Sequence, residues 1–231
     1  MAVAAGSLIS ASAVFSWAAV APSAQLFGRT LRHTDDRKAI ALTFDDGPNP
    51  AVTPALLDLL GRKNVRATFF VIGERVQTLP ALTKEIVDRG HAIENHTHTH
   101  AALTFLSPTR IEEELRRCDD AIAAATGKKT ELMRPPFGFR GPQLSSAVRR
   151  WGGTGVVMWS VWAQDWKAQP ADPVIRRLRR VRGGDIVLLH DGDHRALAGG
   201  RRHTVEALEY WIPRWQDNGL RFVTLEEIGA T

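Results

Sequence analysis

The chain has 231 residues, 44% hydrophobic and 24% charged, which suits one globular domain with a real core and excludes two full ones. Its single cysteine, Cys118, excludes an intrachain disulfide and a cysteine-built metal cage, so any metal must use histidine and carboxylates. The formal charge of +5 and the pI near 9.9 favour anionic surroundings such as phospholipid headgroups, acidic wall polymers or nucleic acid, without choosing among them.

The chain opens on MAVAAGSLISASAVFSWAAVAPSAQLFG, with no charged residue before Arg29, and its apolar part, Ala2 to Ala21, is about long enough to cross a bilayer as a helix. Residues 1–37 therefore read as an apolar segment and linker that anchors or exports the protein; a truncated start or a loose arm is the alternative. Residues 38–231 read as one domain.

From Lys38 onward strands and helices alternate. AIALTF runs into DDGPNP, Thr53 and Pro54 open a helix over TPALLDLLGRK, ATFFVIG forms a strand, and LPALTKEIVDRG forms a helix closing on Gly90. HAIEN is followed by a helix capped by Ser107 and Pro108, and ELM by GPQLSSAVRRWG. GVVMWSV precedes DPVIRRLRRVRGG, DIVLLH precedes TVEALEYWIPRWQDNG, and RFVTL closes the series. About seven βα units predict an α/β fold, a distorted or incomplete (β/α) barrel of parallel strands. A doubly wound open sheet is the alternative, but no Gly-rich dinucleotide fingerprint follows the first strand.

The run RRLRRVR resembles a nucleic-acid patch. Asp172 and Pro173 start its helix, Gly183 ends it, and Val174, Leu178 and Val181 recur at helical spacing, which leaves the arginines on a solvated face. Few aromatics interleave with them, so no nucleic-acid partner is expected.

Each polar cluster falls just beyond a strand: Asp45 with Asp46, His96 to His100, Arg134, Asp165, and His190 with Asp191. Barrel enzymes build their sites at that end. Packing alone explains this poorly, because unpaired buried carboxylates and imidazoles cost stability. An isolated Asp-Asp-Gly is usually an Asx turn. His96 and His100, four apart, would share one side of a helical turn, with His98 pointing elsewhere; two imidazoles and a carboxylate make a zinc-type catalytic set with positions left for water and substrate.

With these residues in place, roughly residues 38 to 228 resemble the polysaccharide deacetylase family, the NodB-homology domains of carbohydrate esterase family 4. The motif TFDDG is intact as Thr43 to Gly47, and H-[ST]-x-x-H is His96 to His100. The R-x-P-aromatic motif is Arg134, Pro135, Pro136, Phe137, with Phe where Tyr is commoner, and L-x-H is Leu188, Leu189, His190. The resemblance implies a NodB-like barrel that hydrolyses N-acetyl groups from an amino-sugar polysaccharide. It implies a divalent metal held by Asp46, His96 and His100, with zinc ahead of cobalt or other ions. Asp45 would be the general base, oriented by Arg134, and His190 the general acid, polarised by Asp165. The Phe137 N–H would help hold the oxyanion, Leu188 would shape the acetyl pocket and Trp166 would wall it.

The pattern D-x-x-D-W reads here as Trp162, Ala163, Gln164, Asp165, Trp166, with tryptophan in place of the first acid; this bears on substrate fit near Trp162 more than on the core chemistry. The expected partner is an N-acetylated glycan of the peptidoglycan or chitin type, with a membrane surface met through the N-terminal segment and no obligate protein partner. The expected location is the cell envelope, membrane-anchored or secreted. A lipid-linked sugar as substrate, for deacetylation or deformylation, and a non-catalytic carbohydrate-binding domain are the alternatives.

Overall fold

The computed structural model describes residues 12–229. In chain order these form helix α1 (residues 12–20), then β1 (Ala39–Gly47), α2 (Thr53–Arg62), β2 (Thr68–Val71), α3 (Gly73–Thr78), α4 (Pro80–Asp88) and β3 (Ala92–Asn95). There follow α5 (Pro108–Thr126), β4 (Leu132–Met133), α6 (Leu144–Trp151), β5 (Gly155–Val156), β6 (Val161–Trp162), α7 (Ala171–Leu178), β7 (Ile186–His190), α8 (Arg202–Asp217), β8 (Arg221–Phe222) and α9 (Leu225–Gly229). The path β5-β4-β3-β2-β1-β7-β6 is parallel at every pairing, and β8 joins the start of β1. This is a curled half-barrel with β5 and β6 at its two edges.

β1 lies inside the sheet between β2 and β7 and is buried throughout, which is why its first part, Ala39 to Leu42, is wholly apolar. Side chains alternate across a strand. Ile40, Leu42 and Phe44 join the main core with α2 and α8, including Leu56, Leu60, Leu208 and Ile212. Ala39 and Ala41 turn to the other face, with Phe70 and Ile186. The same alternation puts Asp45 on the interior face of β1 and His190 on that of β7, where the two residues are in register.

The start of α5 follows its sequence signal. Ser107 caps α5 by accepting from the Arg110 N–H at 3.3 Å, and Ile111, Leu115, Cys118 and Ile122 form its buried stripe.

Three local expectations need correction. GVVMWSV is not one strand: β5 and β6 lie at opposite edges, and the chain between them crosses the open seam of the barrel. Its continuous apolarity reflects burial in that seam rather than a single ladder. Leu31 bridges Val157 and His33 bridges Asp185, so the segment before Lys38 lies along the same seam. The α7 helix ends at Leu178, short of Gly183. Tight turns with Arg180 N→Arg177 O and Val181 N→Leu178 O bonds carry Val181 on into the core. Finally, residues 96–100 are not a helical turn, as described below. The expected membrane segment, Ala2 to Ala21, lies partly outside the described residues; no described helix is long and apolar enough to cross a membrane.

Candidate active site

A cleft of about 490 Å³ opens at the C-terminal ends of the strands. Asp45, Asp46, His96, His100, Phe137, Trp166, Leu188 and His190 all line it. Arg134 and Asp165 lie fully buried behind its wall.

Asp46 sits where the β1–β2 register slips, and its φ of 72° is left-handed. Such a bulge re-aims a side chain, and the strained backbone is held from outside. Gly192, in the loop after β7, supplies that support: a Cβ there would lie 2.0 Å from the Asp46 carbonyl oxygen, so only glycine allows the loop to press so close.

The histidine loop gets its shape from its neighbours, with left-handed Thr97 (φ 67°) and His100 (φ 59°). Asn95 Oδ1 accepts from the Thr97 N–H at 2.9 Å, and Asn95 Nδ2 donates to the Leu115 carbonyl at 2.8 Å. Glu114 of α5 accepts from the N–H groups of His98 and Thr99 and from the Thr99 hydroxyl. This bracing, in place of a helical turn, brings His96 and His100 to one side and packs His98 toward Gly73.

One ligand atom from each of Asp46, His96 and His100 lies within 4.8 Å of the others, and all three residues are buried. Asp46 Oδ1 is 3.1 Å from His100 Nε2 and 3.4 Å from His96 Nε2, yet it has no aligned hydrogen-bond partner. His96 Nδ1 lies 2.8 Å from the Arg134 carbonyl oxygen, which can only accept. Nδ1 therefore carries a proton and Nε2 is the atom turned toward Asp46, the arrangement that orients a metal-bound histidine. Burial lowers the His100 pKa against the pull of Asp46. Burial alone would raise the Asp46 carboxyl, but His100, His194 and His96 hold it well below the usual carboxylate range. A carboxylate with an orphaned buried oxygen and two imidazoles fit a divalent cation.

This placement predicts that His96→Ala or His100→Ala loses most of the bound metal, while His98→Ala retains it. Metal content by plasma mass spectrometry checks it; a full complement in the His100 variant would overturn the ligand set.

Two braced groups flank this set. Arg134 Nη1 donates to Asp45 Oδ1 at 2.7 Å and to the Thr43 hydroxyl at 2.8 Å, and its guanidinium lies 4.2 Å from the Phe70 ring centroid. Across the cleft, His190 Nδ1 meets Asp165 Oδ1 at 2.8 Å. Asp165 Oδ2 accepts from the His190 N–H and the Thr204 hydroxyl, and its carbonyl pairs with His203 Nε2. Burial would lower the His190 pKa, but Asp165 outweighs it and raises the ring to about 9. Leu188 and Trp166 form walls, and Phe137, left-handed at φ 61°, stands at the mouth with its ring centroid 4.6 Å from that of His100.

Other cleft residues escaped sequence reasoning. His194 stacks on His100 at 4.4 Å and 16°, with Nδ1 3.7 Å from Asp46 Oδ2. Its only signal was position, four residues beyond His190 in a polar loop. Trp159 and Phe139 also line the cleft, as do Val20 and Pro22 from the N-terminal segment. That segment is held by Arg140, whose guanidinium donates to the carbonyls of Ala18, Ala21 and Ala24.

The parallel half-barrel sets a metal-type donor set between a braced carboxylate and a braced imidazole, a layout suited to metal-assisted hydrolysis. Residues 32–156 match the family model described as polysaccharide deacetylase, and the chain belongs to that family. It is 36% identical to the peptidoglycan-N-acetylglucosamine deacetylase PgdA of Listeria monocytogenes over 83% of this chain; the match spans only 39% of that longer protein. It is 37% identical to a chitooligosaccharide deacetylase of Bradyrhizobium over 83% of this chain and 90% of the relative. A crystal structure of a peptidoglycan N-acetylglucosamine deacetylase superposes with a TM-score of 0.80 at 32% identity, covering 86% of this chain and 92% of that one.

Proposed function

We propose that this chain is a metal-dependent hydrolase that removes N-acetyl groups from an amino-sugar glycan of the cell envelope. One observation carries the reading: the Asp46, His96 and His100 donor set lies in one cleft with Arg134-braced Asp45 and Asp165-braced His190. Residues 38–231 would form the deacetylase unit, with the preceding segment as an arm laid along it.

Asp46, His96 and His100 would hold the metal, for which zinc suits the mixed carboxylate and imidazole set. When bound, the cation polarises the acetyl oxygen and acidifies water. Asp45 takes the proton of the attacking water, and Arg134 fixes which of its oxygens faces that water. His190 uses Nδ1 on Asp165, which turns Nε2 to the cleft to protonate the departing sugar nitrogen. The Phe137 N–H assists at the developing oxyanion. Leu188 bounds the acetyl methyl, and the Trp162 and Trp166 rings offer apolar faces to a sugar.

A second reading, a lipid-linked sugar, draws on the N-terminal helix. Val14, Phe15 and Trp17 are 54%, 52% and 53% exposed beside Val20, which lines the cleft.

Acetate release from chitin oligomers, soluble peptidoglycan, acetylated xylan and a lipid-linked amino sugar, with and without chelator, tests both. Chelator-sensitive release from the N-acetylated glycans is expected. Release confined to the lipid-linked sugar would shift the assignment to it, and no release from any substrate would leave a carbohydrate-binding domain.

A further inference from the structure

A second groove, larger than the catalytic cleft, lies elsewhere on the described surface. A volume of about 830 Å³ lies along the outer edge of the barrel between β6 and α7. β6 is an edge strand that pairs with β7 alone, so nothing in the sheet covers its far side. Trp162 lines both this groove and the catalytic cleft, joining the two. Gln164, next along, also lines the groove.

Arg176, Arg177, Arg179, Arg180 and Arg182 supply the groove's charge. Val174, Leu178 and Val181 are buried, which fixes the helix and the turn after it so that the intervening arginines point outward. None of the five forms an ion pair with a described carboxylate. Arg177 donates to Gln169, and Arg182 donates to the carbonyls of Arg179 and Val181. Asp185 is the lone acid in the lining, and it is engaged by the Ser160 hydroxyl at 2.7 Å and the Arg182 N–H at 2.6 Å. Five cations against one carboxylate leave a strongly positive concavity that attracts anionic polymer.

We infer that this groove is a subsite for carboxylate-bearing portions of the glycan whose N-acetyl sugar occupies the catalytic cleft, so that the enzyme favours an anionic wall glycan over a neutral one of equal length. The inference rests on the proposed glycan deacetylase function. Trp162 would carry a sugar face at the junction while carboxylates beyond it meet the arginines. Guanidinium suits carboxylate by its paired, planar donors. A neutral chitin-type oligomer would gain only the contacts at Trp162.

The test compares the holoenzyme with its Arg176→Gln/Arg179→Gln/Arg180→Gln variant on two substrates: soluble peptidoglycan strands carrying peptide carboxylates and chitin oligomers of similar length. Three exposed charge contacts together predict roughly a ten-fold rise in KM on the anionic strands. No change is expected on the neutral oligomers, whose retained turnover also shows that the variant folds. Raising salt from about 0.1 M to about 1 M shortens the Debye length from about 10 to about 3 Å and should reproduce the selective KM rise in the wild type.

Equal losses on both substrates, or none on either, overturn the subsite while leaving the deacetylase reading intact. Co-sedimentation with insoluble peptidoglycan separates the reverse case: arginine-dependent binding without acetate release supports the groove and overturns the catalytic reading. Arginine-dependent binding to anionic lipid vesicles, with glycan binding unchanged, overturns the inference in favour of a membrane contact.

Discussion

Asp45→Asn is expected to keep its metal and lose turnover by roughly 100- to 10,000-fold, the range over which a positioned general base acts. The amide oxygen can still accept from Arg134, so the buried guanidinium at 2.7 Å keeps a partner and the fold survives. Yet an amide cannot take a proton from water. Asp46→Asn reverses the order of loss. Its carboxylate is held well below the usual range by the three imidazoles around it, which marks it as the anionic member of the donor set. Replacing it with a neutral ligand weakens the site for a dication, and activity falls because occupancy falls. Excess zinc or cobalt should therefore restore Asp46→Asn in part and Asp45→Asn not at all, with metal content and acetate release measured on the same samples. Rescue of Asp45→Asn alone would mean that base and ligand are exchanged.

Adjacent residues can divide this work because the backbone differs at each. Asp45 follows the strand alternation onto the interior face, in register with His190. Asp46 sits in the bulge and is turned by its left-handed backbone toward the histidine loop. Flat strand geometry would send two neighbouring carboxylates to opposite faces. The slip in register keeps both in one cleft.

Much of this was legible in the sequence because it follows local periodicity. The apolar strands, the helices between them and the polar residues just beyond each strand give the half-barrel and the rim carrying Asp45, Arg134, Asp165 and His190. Features set by tertiary contact were not legible. His96 and His100 have the spacing of a helical turn but the geometry of a loop held by Asn95 and Glu114. Glu114 lies in α5, and no pattern near the histidines points to it. His194 reaches the site through a loop that packs by way of Gly192. Val20 and Pro22 arrive because buried Arg140 gathers carbonyls from a segment that reads, taken alone, as a membrane span. Apolar composition is common to a span, a seam and a cleft wall, and only the packing distinguishes them.

The second large effect concerns the proton donated to the leaving nitrogen. Asp165 raises the His190 pKa to about 9 against the opposing effect of burial. A general acid works in its protonated form, so its contribution is present below that value and lost as pH rises through it. Asp165→Asn removes the charge that holds the proton and also places an NH₂ where one of three donors, the His190 ring, the His190 N–H or the Thr204 hydroxyl, now points. The alkaline limb of the pH–rate profile should move down toward the ordinary histidine value of about 6.5. His190→Ala should abolish that limb and lower amide hydrolysis by roughly 100- to 10,000-fold. The control is an acetyl ester with an activated phenolate leaving group, which departs without a proton. If His190 acts on the leaving group, its loss affects the ester far less than the N-acetyl sugar, because the base, its arginine and the donor set are untouched. Equal losses on ester and amide, with an unmoved alkaline limb in Asp165→Asn, would show that the imidazole serves binding or water activation and that the acid must be sought elsewhere in the cleft, which His194 also lines.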